Sequence, residues 1–413
     1  HSFPTRRSSD LYNKETGDVA KTAYNDESSY YRNLLNAGLN VEYQAQNFTL
    51  SAVTGYQHLK DRMFLDQDFT AKNTYTLEQK QRINTISEEI VMKSKESHHW
   101  QWATGIFGFY QWLNTTAPVT FKEDGMAMMD QMLGNFIPAL VEVPMGPGRN
   151  MNIMPALKVT SARLPINGDF KTPLLNGALF HQSTFRDLFG IDGVSFTAGL
   201  RLDYEKMKMD YNSGTAMDYT IGITGQMMMN GAPTGKPISM MPETALTVTS
   251  RYQGSISKDY LQLLPKFALQ YDFPKNLGNV YATVSKGYRS GGYNIQMFSD
   301  LLQASLKNDM MRLTKDEIMS QVPENLKDMV NFIPDAGENP DARAATVYKP
   351  EQTWNYEIGT HLNLFQNRLR ADAALFWLET RDQQISRFAQ SGLGRETVNA
   401  GKSRSLGAEI SLM

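Results

Sequence analysis

Cysteine is missing from all 413 residues, which removes disulfide frameworks and thiolate metal sites but leaves the compartment open. No stretch of ~18 apolar residues occurs, so a membrane-crossing helix is excluded. Basic and acidic residues nearly balance, 41 against 43, and neither sign forms a block. The clustered basic charge of a nucleic-acid surface is therefore lacking, and no nucleic-acid partner is expected. Neither G-x-G-x-x-G nor G-x-S-x-G is found, no catalytic constellation emerges, and neither an enzyme nor a cofactor is expected. Residues 1–11, HSFPTRRSSDL, carry two arginines without the apolar stretch of a secretory signal. They look like a sequence-assembly scar, and 12–33 is a polar lead-in.

A mean hydropathy of -0.43 reads as soluble, yet a membrane-crossing strand exposes only alternate residues to lipid, so this value does not decide. What the chain does have is dyad periodicity. In VSFTAGLRLDYE, Val194, Phe196, Ala198, Leu200, Leu202 and Tyr204 fall on one side, while Arg201, Asp203 and Glu205 share the other with Ser195, Thr197 and Gly199. Similar segments cover roughly 34–44, 48–63, 82–93, 100–113, 174–187, 193–210, 260–273, 279–294, 352–364, 367–381 and 398–412, about eleven strands. Short turns near 45, 97, 191, 276 and 366 alternate with long connections at 64–81, 114–173, 211–259, 295–351 and 382–397. Short connections at one end and long ones at the other are how outer-membrane barrels are built; soluble domains seldom carry several loops beyond ~15 residues.

Aromatic placement agrees. From Trp102 to Trp112 is ten residue steps, a rise of about 25 Å at ~3.3 Å per residue and ~40° tilt, the height between two aromatic girdles. Trp100, Trp102, Tyr110, Trp112, Trp354 and Tyr356 are the girdle candidates. Arg201, Asp203, Glu205, Glu357 and His361 then face a lumen. A register slip by one residue would put Arg201 into hydrocarbon at a cost of ~2–4 kcal/mol. A soluble sheet with one face on a core alternates equally cleanly; turn asymmetry, strand length and aromatic placement favour the membrane.

The stretches VYATVSKGYRSGGYN (280–294), YKPEQTWNYEIGTHLNL (348–364), AGLRLDYE (198–205) and NAGKSRSLGAEI (399–410) resemble successive strands of TonB-dependent outer-membrane receptors. LSAVTGYQ (50–57), ISEEIVMKS (86–94) and WATGIFGFYQ (102–111) are similar to the family's earlier strands, in the same order. The resemblance covers most of 34–413 and little of the long loops. It implies an antiparallel transmembrane β-barrel of 22 strands in a Gram-negative outer membrane, holding a plug and a box pulled by the TonB–ExbB–ExbD complex. Its cargo would be a scarce, large nutrient such as a ferric siderophore, haem, cobalamin or a glycan. About eleven strands is half that wall and no plug motif precedes it, so the expectation is a barrel fragment that forms a curved, unsealed wall. A passive porin-like channel and a soluble all-β binding protein are the rivals.

Tyr288, Arg289 and Tyr293 end a strand on the long-loop side. Ligand contact and bend-plus-girdle both suit them, the second better, and the lipid or lumen parity of 280–294 stays open. Eighteen of the 23 methionines lie in three long connections, Met128, Met129 and Met228 among them. Loop packing is the favoured use, ahead of an adaptable ligand vestibule and of copper capture. Thr314 with Glu317 suggests a capping box, and Pro323 a helix start. His98 and His99 lack a third ligand, and Asp66 with Asp68 lacks the glycine of a calcium loop, so no metal site is expected.

Overall fold

The computed structural model describes residues 25–413 apart from 67–71, 96–98, 323, 325–326, 328–332, 367 and 390–394. The 1–11 segment, the lead-in as far as residue 24, and Asp68, His98, Pro323 and Met329 lie outside the described residues.

Among the described residues twenty strands and three α-helices follow in order: β1 Ser29–Gln44, β2 Phe48–Asp66, β3 Tyr75–Ser94, β4 Trp100–Thr116, β5 Val119–Phe121, α1 Glu123–Gly134, β6 Val141–Gly146, β7 Arg149–Val159, β8 Leu164–Lys171 and β9 Leu174–Arg186. Then come β10 Val194–Met229, β11 Ala232–Pro233, β12 Ile238–Phe273, β13 Gly278–Arg289, β14 Gly292–Tyr293, α2 Met297–Gln321, α3 Ala342–Thr346, β15 Val347–Tyr348, β16 Glu351–Leu364, β17 Leu369–Arg381, β18 Gln384–Phe388, β19 Arg395–Asn399 and β20 Lys402–Leu412. One antiparallel sheet runs β1-β2-β3-β5-β8-β4-β9-β10-β12-β13-β16-β17-β20. Without the short β5 and β8 these are the eleven expected strands, one for one. Among the described residues β1 and β20 each pair on one side only.

Tight connections join the wall strands at one end. Between β9 and β10 the Asp187 carboxylate accepts the Gly193 N–H at 3.1 Å. Gly193 holds φ +82°, and a Cβ there would crowd the Asp272 carbonyl oxygen, so the turn requires glycine. Across the lower wall, the opposed rows Ile90–Ile106–Leu179–Leu202–Leu263 and Phe196–Leu269–Ala282–Ile358–Leu375 present apolar side chains outward. Leu179 is 56% exposed and Ile358 53%, although both are apolar. So wide an apolar exposure needs a hydrocarbon solvent. Glu88 shares this face beside Gly108, its carboxylate taking the Thr54 hydroxyl at 2.5 Å.

The sides then exchange roles. On β10 the odd residues stay inward throughout, but above Glu205 they become Met207, Met209, Met217, Tyr219, Ile221 and Ile223, all buried. The outward residues become Lys206, Lys208, Asp210, Asn212 and Asp218. β12 switches independently at the same level, from outward Leu261 to outward Asp259, and Lys206 lies opposite Asp259. Below this rim lipid is outside and the lumen wet; above it water is outside and an apolar core lies within.

The long connections expected at 114–173, 211–259 and 295–351 carry regular structure, helices among it. β5 to β8 with α1 fill the first, 36-residue strands β10 and β12 run through the second, and α2 occupies much of the third. Leu164, Ile166, Ile153, Tyr219, Val248, Leu302, Leu306 and Met310 share one core there. Inward residues of β10 and β12 meet the Phe298–Leu301/Leu302–Leu306–Met310 stripe of α2, spaced by three or four residues as an amphipathic helix requires. Thr314 does not start a helix: it lies deep within α2, buried, with its hydroxyl 2.9 Å from the Tyr219 phenol. That burial pushes the Tyr219 phenol up, against the lowering effect of the Thr314 hydrogen bond.

Candidate functional site

Alternation sends Arg201, Asp203 and Glu205 to the inner side of β10, at the top of the wet zone. Arg201 Nε meets the Asp203 carboxylate at 2.8 Å, and its guanidinium lies 5.4 Å from the Phe107 ring centroid and 5.7 Å from that of Phe180. Asn176 donates to the other Asp203 oxygen, and the Tyr288 hydroxyl donates to the same oxygen at 2.9 Å. Ser290 donates to Glu205. The remaining Glu205 oxygen is buried without a hydrogen-bond partner among the described residues.

The parity of 280–294 is resolved by where pairing stops. β12 and β13 pair only as far as Lys266–Ser285, while β13 continues with β16 to Arg289–Glu351. Up to Val284 the even residues face outward, opposite Phe267 and Leu269. Above Ser285 the β13–β16 pair leaves β12 and passes in front of its inner side, so the same even side now packs against the inner wall. Tyr288 reaches Asp203, Ser290 reaches Glu205, and Gln352 donates to Gln262 at 3.1 Å. Tyr293 continues the strap, its hydroxyl donating to the Met207 and Ile256 carbonyls at 3.2 Å each. Gln384 ties the strap to the next connection through the Ser290 and Lys349 carbonyls at 2.8 and 3.0 Å. Gly291 and Gly292 are required because a Cβ on either would strike Tyr348. Tyr288 and Tyr293 therefore bind the wall from inside and are not lipid anchors, whereas Arg289 is exposed opposite Glu351.

A second polar chain lies lower on the same inner side. Tyr281 donates to Glu357 at 2.7 Å and stacks on His361, centroids 5.4 Å apart. His361 Nδ1 is 2.7 Å from Asp372, which also holds Arg370 at 3.3 Å. Glu357 and His361 thus stand where dyad counting puts them.

Outward, Tyr110 and Trp112 pack edge to face at 4.4 Å at the upper end of β4. The Trp100 indole donates to Ser183 at 3.1 Å near the lower end, and Trp102 shares that face. Trp354, Tyr356 and Trp377 form one aromatic run, at 6.4 and 6.3 Å; Trp377 escaped the girdle candidates although its alternation with Leu375 marks it. Met129 is buried in the upper core beside Met126, so its thioether serves packing. Met128 is exposed and Met228 half-buried near the hairpin tip. His99 pairs with Asp187 at 3.7 Å, and Asp66 accepts the Asn25 and Asp26 amides at 2.7 and 3.2 Å. The sequence missed the strap, because only loss of β12 pairing brings Ser290, Gln352 and Gln384 to the lumen.

A family model described as TonB-dependent receptor-like β-barrel matches residues 2–413. No curated protein matches the chain by sequence. Among solved structures, the ferric yersiniabactin uptake receptor FyuA of Yersinia pestis aligns with a TM-score of 0.52 and 16% identity, over 94% of this chain and 41% of that one. The ferripyoverdine receptor of the outer membrane of Pseudomonas aeruginosa gives a TM-score of 0.26 and 10% identity, over 93% of this chain and 52% of that one. For the alcaligin outer-membrane receptor FauA of Bordetella pertussis the values are 0.23 and 9%, over 93% and 56%. The chain thus spans 41% to 56% of the length of these three proteins. The apolar outer belt, the polar inner side and the match across 2–413 have one meaning: the chain belongs to the TonB-dependent receptor β-barrel family, in the outer membrane of a Gram-negative bacterium.

Proposed function

We propose that this chain forms part of the wall and extracellular cap of an active-transport receptor that binds a large, scarce nutrient, of the ferric siderophore class, and admits it with energy from the TonB–ExbB–ExbD complex. Binding and gated passage do the work, with no bond chemistry. The observation that carries the proposal is the strap across the inner wall. Hydrogen bonds from Tyr288, Ser290 and Gln352 to Asp203, Glu205 and Gln262 must yield before anything large passes along this wall, which suits a gated path and not an open pore. The nearby carboxylates and tyrosines offer oxygen acceptors and donors suited to a polar chelate, while the apolar core above narrows the approach. The named cargo of the aligned FyuA, ferric yersiniabactin, supports the iron-chelate reading.

The test is growth of an iron-starved strain whose only route for a supplied ferric siderophore is the full-length receptor. Uptake is expected to vanish when the TonB complex is deleted. Uptake that persists without it would mean a passive channel.

A further inference from the structure

Where the strap meets the wall, two carboxylates stand side by side on the inner face of β10, and they are served unequally. Arg201 pairs with Asp203 at 2.8 Å, and Asn176 and Tyr288 also donate to it. Glu205, two residues on, is only 1% exposed. It receives the Ser290 hydroxyl on one oxygen, and the other is buried with no hydrogen-bond partner among the described residues. A neutral carboxylic acid tolerates such a place far better than an anion does.

The surroundings do not supply the missing positive charge. On its own strand Glu205 has Asp203, of like sign, and Arg201, already engaged. Across the sheet β9 offers the neutral Asn176, while β12 sets Tyr260 directly opposite and Lys258 a pleat higher. In front lie Tyr288 and Tyr293 of the strap, with its cations Lys286 and Arg289, the latter opposite Glu351. Lys258, Lys286 and Arg289 form no ion pair with Glu205 among the described residues. Glu205 also stands above the last outward apolar pair of this wall, Tyr204 with Leu261, and so above the lipid belt. Burial pushes its carboxyl up from the ordinary range, the Ser290 hydrogen bond opposes that rise, and Asp203 adds to it. Lifting the strap would take Ser290 away and admit water to both oxygens, restoring ordinary acidity.

We propose that Glu205 takes up a proton from lumen water as the strap closes and returns it as the strap lifts, making the strap a latch that acid holds shut. The closed carboxylic acid becomes an open, hydrated carboxylate; its O–H bond breaks and water accepts the proton, with no other reactant. The closed state has the raised carboxyl, so this stabilisation is complete below the ordinary carboxylate range and is lost as pH rises through the raised value. The latch rests on the gated-path reading for its bearing on uptake, whereas its proton coupling is read from strap opening alone.

The test uses the full-length receptor in lipid nanodiscs and follows hydrogen–deuterium exchange of 286–293 at about pH 5 and about pH 8. Segment 196–204 of the same molecule is the reference, so that the intrinsic pH dependence of exchange cancels. Relative protection of 286–293 is expected to fall about tenfold or more from the lower pH to the higher. Glu205→Gln, neutral at every pH and still an acceptor for Ser290, should keep the acid level throughout. Ser290→Ala removes the hydrogen bond but not the titrating group, so protection should drop at both pH values while the ratio between them stays at least as large. Relative protection that is flat or rises with pH in the parent, or a pH dependence that survives in Glu205→Gln, overturns the proposal. Should Glu205→Gln not fold, the parent and Ser290→Ala decide. Uptake separates latch from gate: a strap locked in Glu205→Gln with parental uptake would sink the gated path and leave the latch standing.

Discussion

Asp203 takes hydrogen bonds from three side chains, those of Arg201, Asn176 and Tyr288, and each donor comes from a different strand. A charged acceptor so placed is a pin between the fixed wall and the strap. Removing one hydrogen bond to a charged group costs about 1.5–3 kcal/mol. Tyr288→Phe is therefore expected to leave the barrel folded but to speed amide exchange in 286–293 by about tenfold or more, since 1.4 kcal/mol is a factor of ten. Exchange in 196–204 should not change. Hydrogen–deuterium exchange with mass spectrometry reads both segments. Unaltered exchange in 286–293 would show that the pin does not hold the strap. Alternation put Arg201, Asp203 and Glu205 on one side, and turn asymmetry, strand length and aromatic placement made that side the inner one, but their partner Tyr288 was not legible, because its side follows from a lost strand pair that alternation does not encode.

The eleven wall strands were legible for a physical reason: oil on one side and water on the other force a strict period of two over ten or more residues, as in β10 and β16. Above the rim the same backbone continues with inverted polarity, and the buried Ser213, Thr215 and Ser250 interrupt its inward apolar side, so 211–259 read as a loop. α2 was half legible. Its stripe of three- and four-residue spacing is plain from Phe298 to Met310, but Thr314 and Glu317 imitate a helix start in its interior. Leu302 and Leu306 are its most buried leucines, 0% and 2% exposed. Leu302→Ala and Leu306→Ala should each destabilise the cap by about 2–5 kcal/mol. Limited proteolysis within 296–346 is the measurement. Cleavage there should accelerate while the wall strands stay protected; an unchanged rate would mean the helix is not held by this core.

For the molecule as a whole, the exchange of roles at Lys206 and Asp259 divides one continuous sheet between two solvents. Two arginine substitutions on the same side of β10 make the division measurable. Leu200→Arg, outward near the middle of the apolar belt, is expected to cost about 2–4 kcal/mol of folding stability in a bilayer, whereas Ala216→Arg, on the same side above the rim, should cost about 0–1 kcal/mol. Reversible denaturant titration in lipid vesicles gives both values. Equal costs would place the boundary elsewhere. Comparison with the family could reveal the barrel, but the division was hidden, since it depends on which neighbours cover each side.

The height of that lower zone has a consequence for the surrounding lipid. On β12 the outward apolar side chains run from Leu261 to Tyr271, ten residue steps, or about 25 Å at the usual rise and tilt. A membrane with a hydrocarbon interior of about 32 Å would have to thin around such a wall, at a modest cost for every ångström of mismatch. The barrel is cut for a thin bilayer, and thickness alone would sort it there.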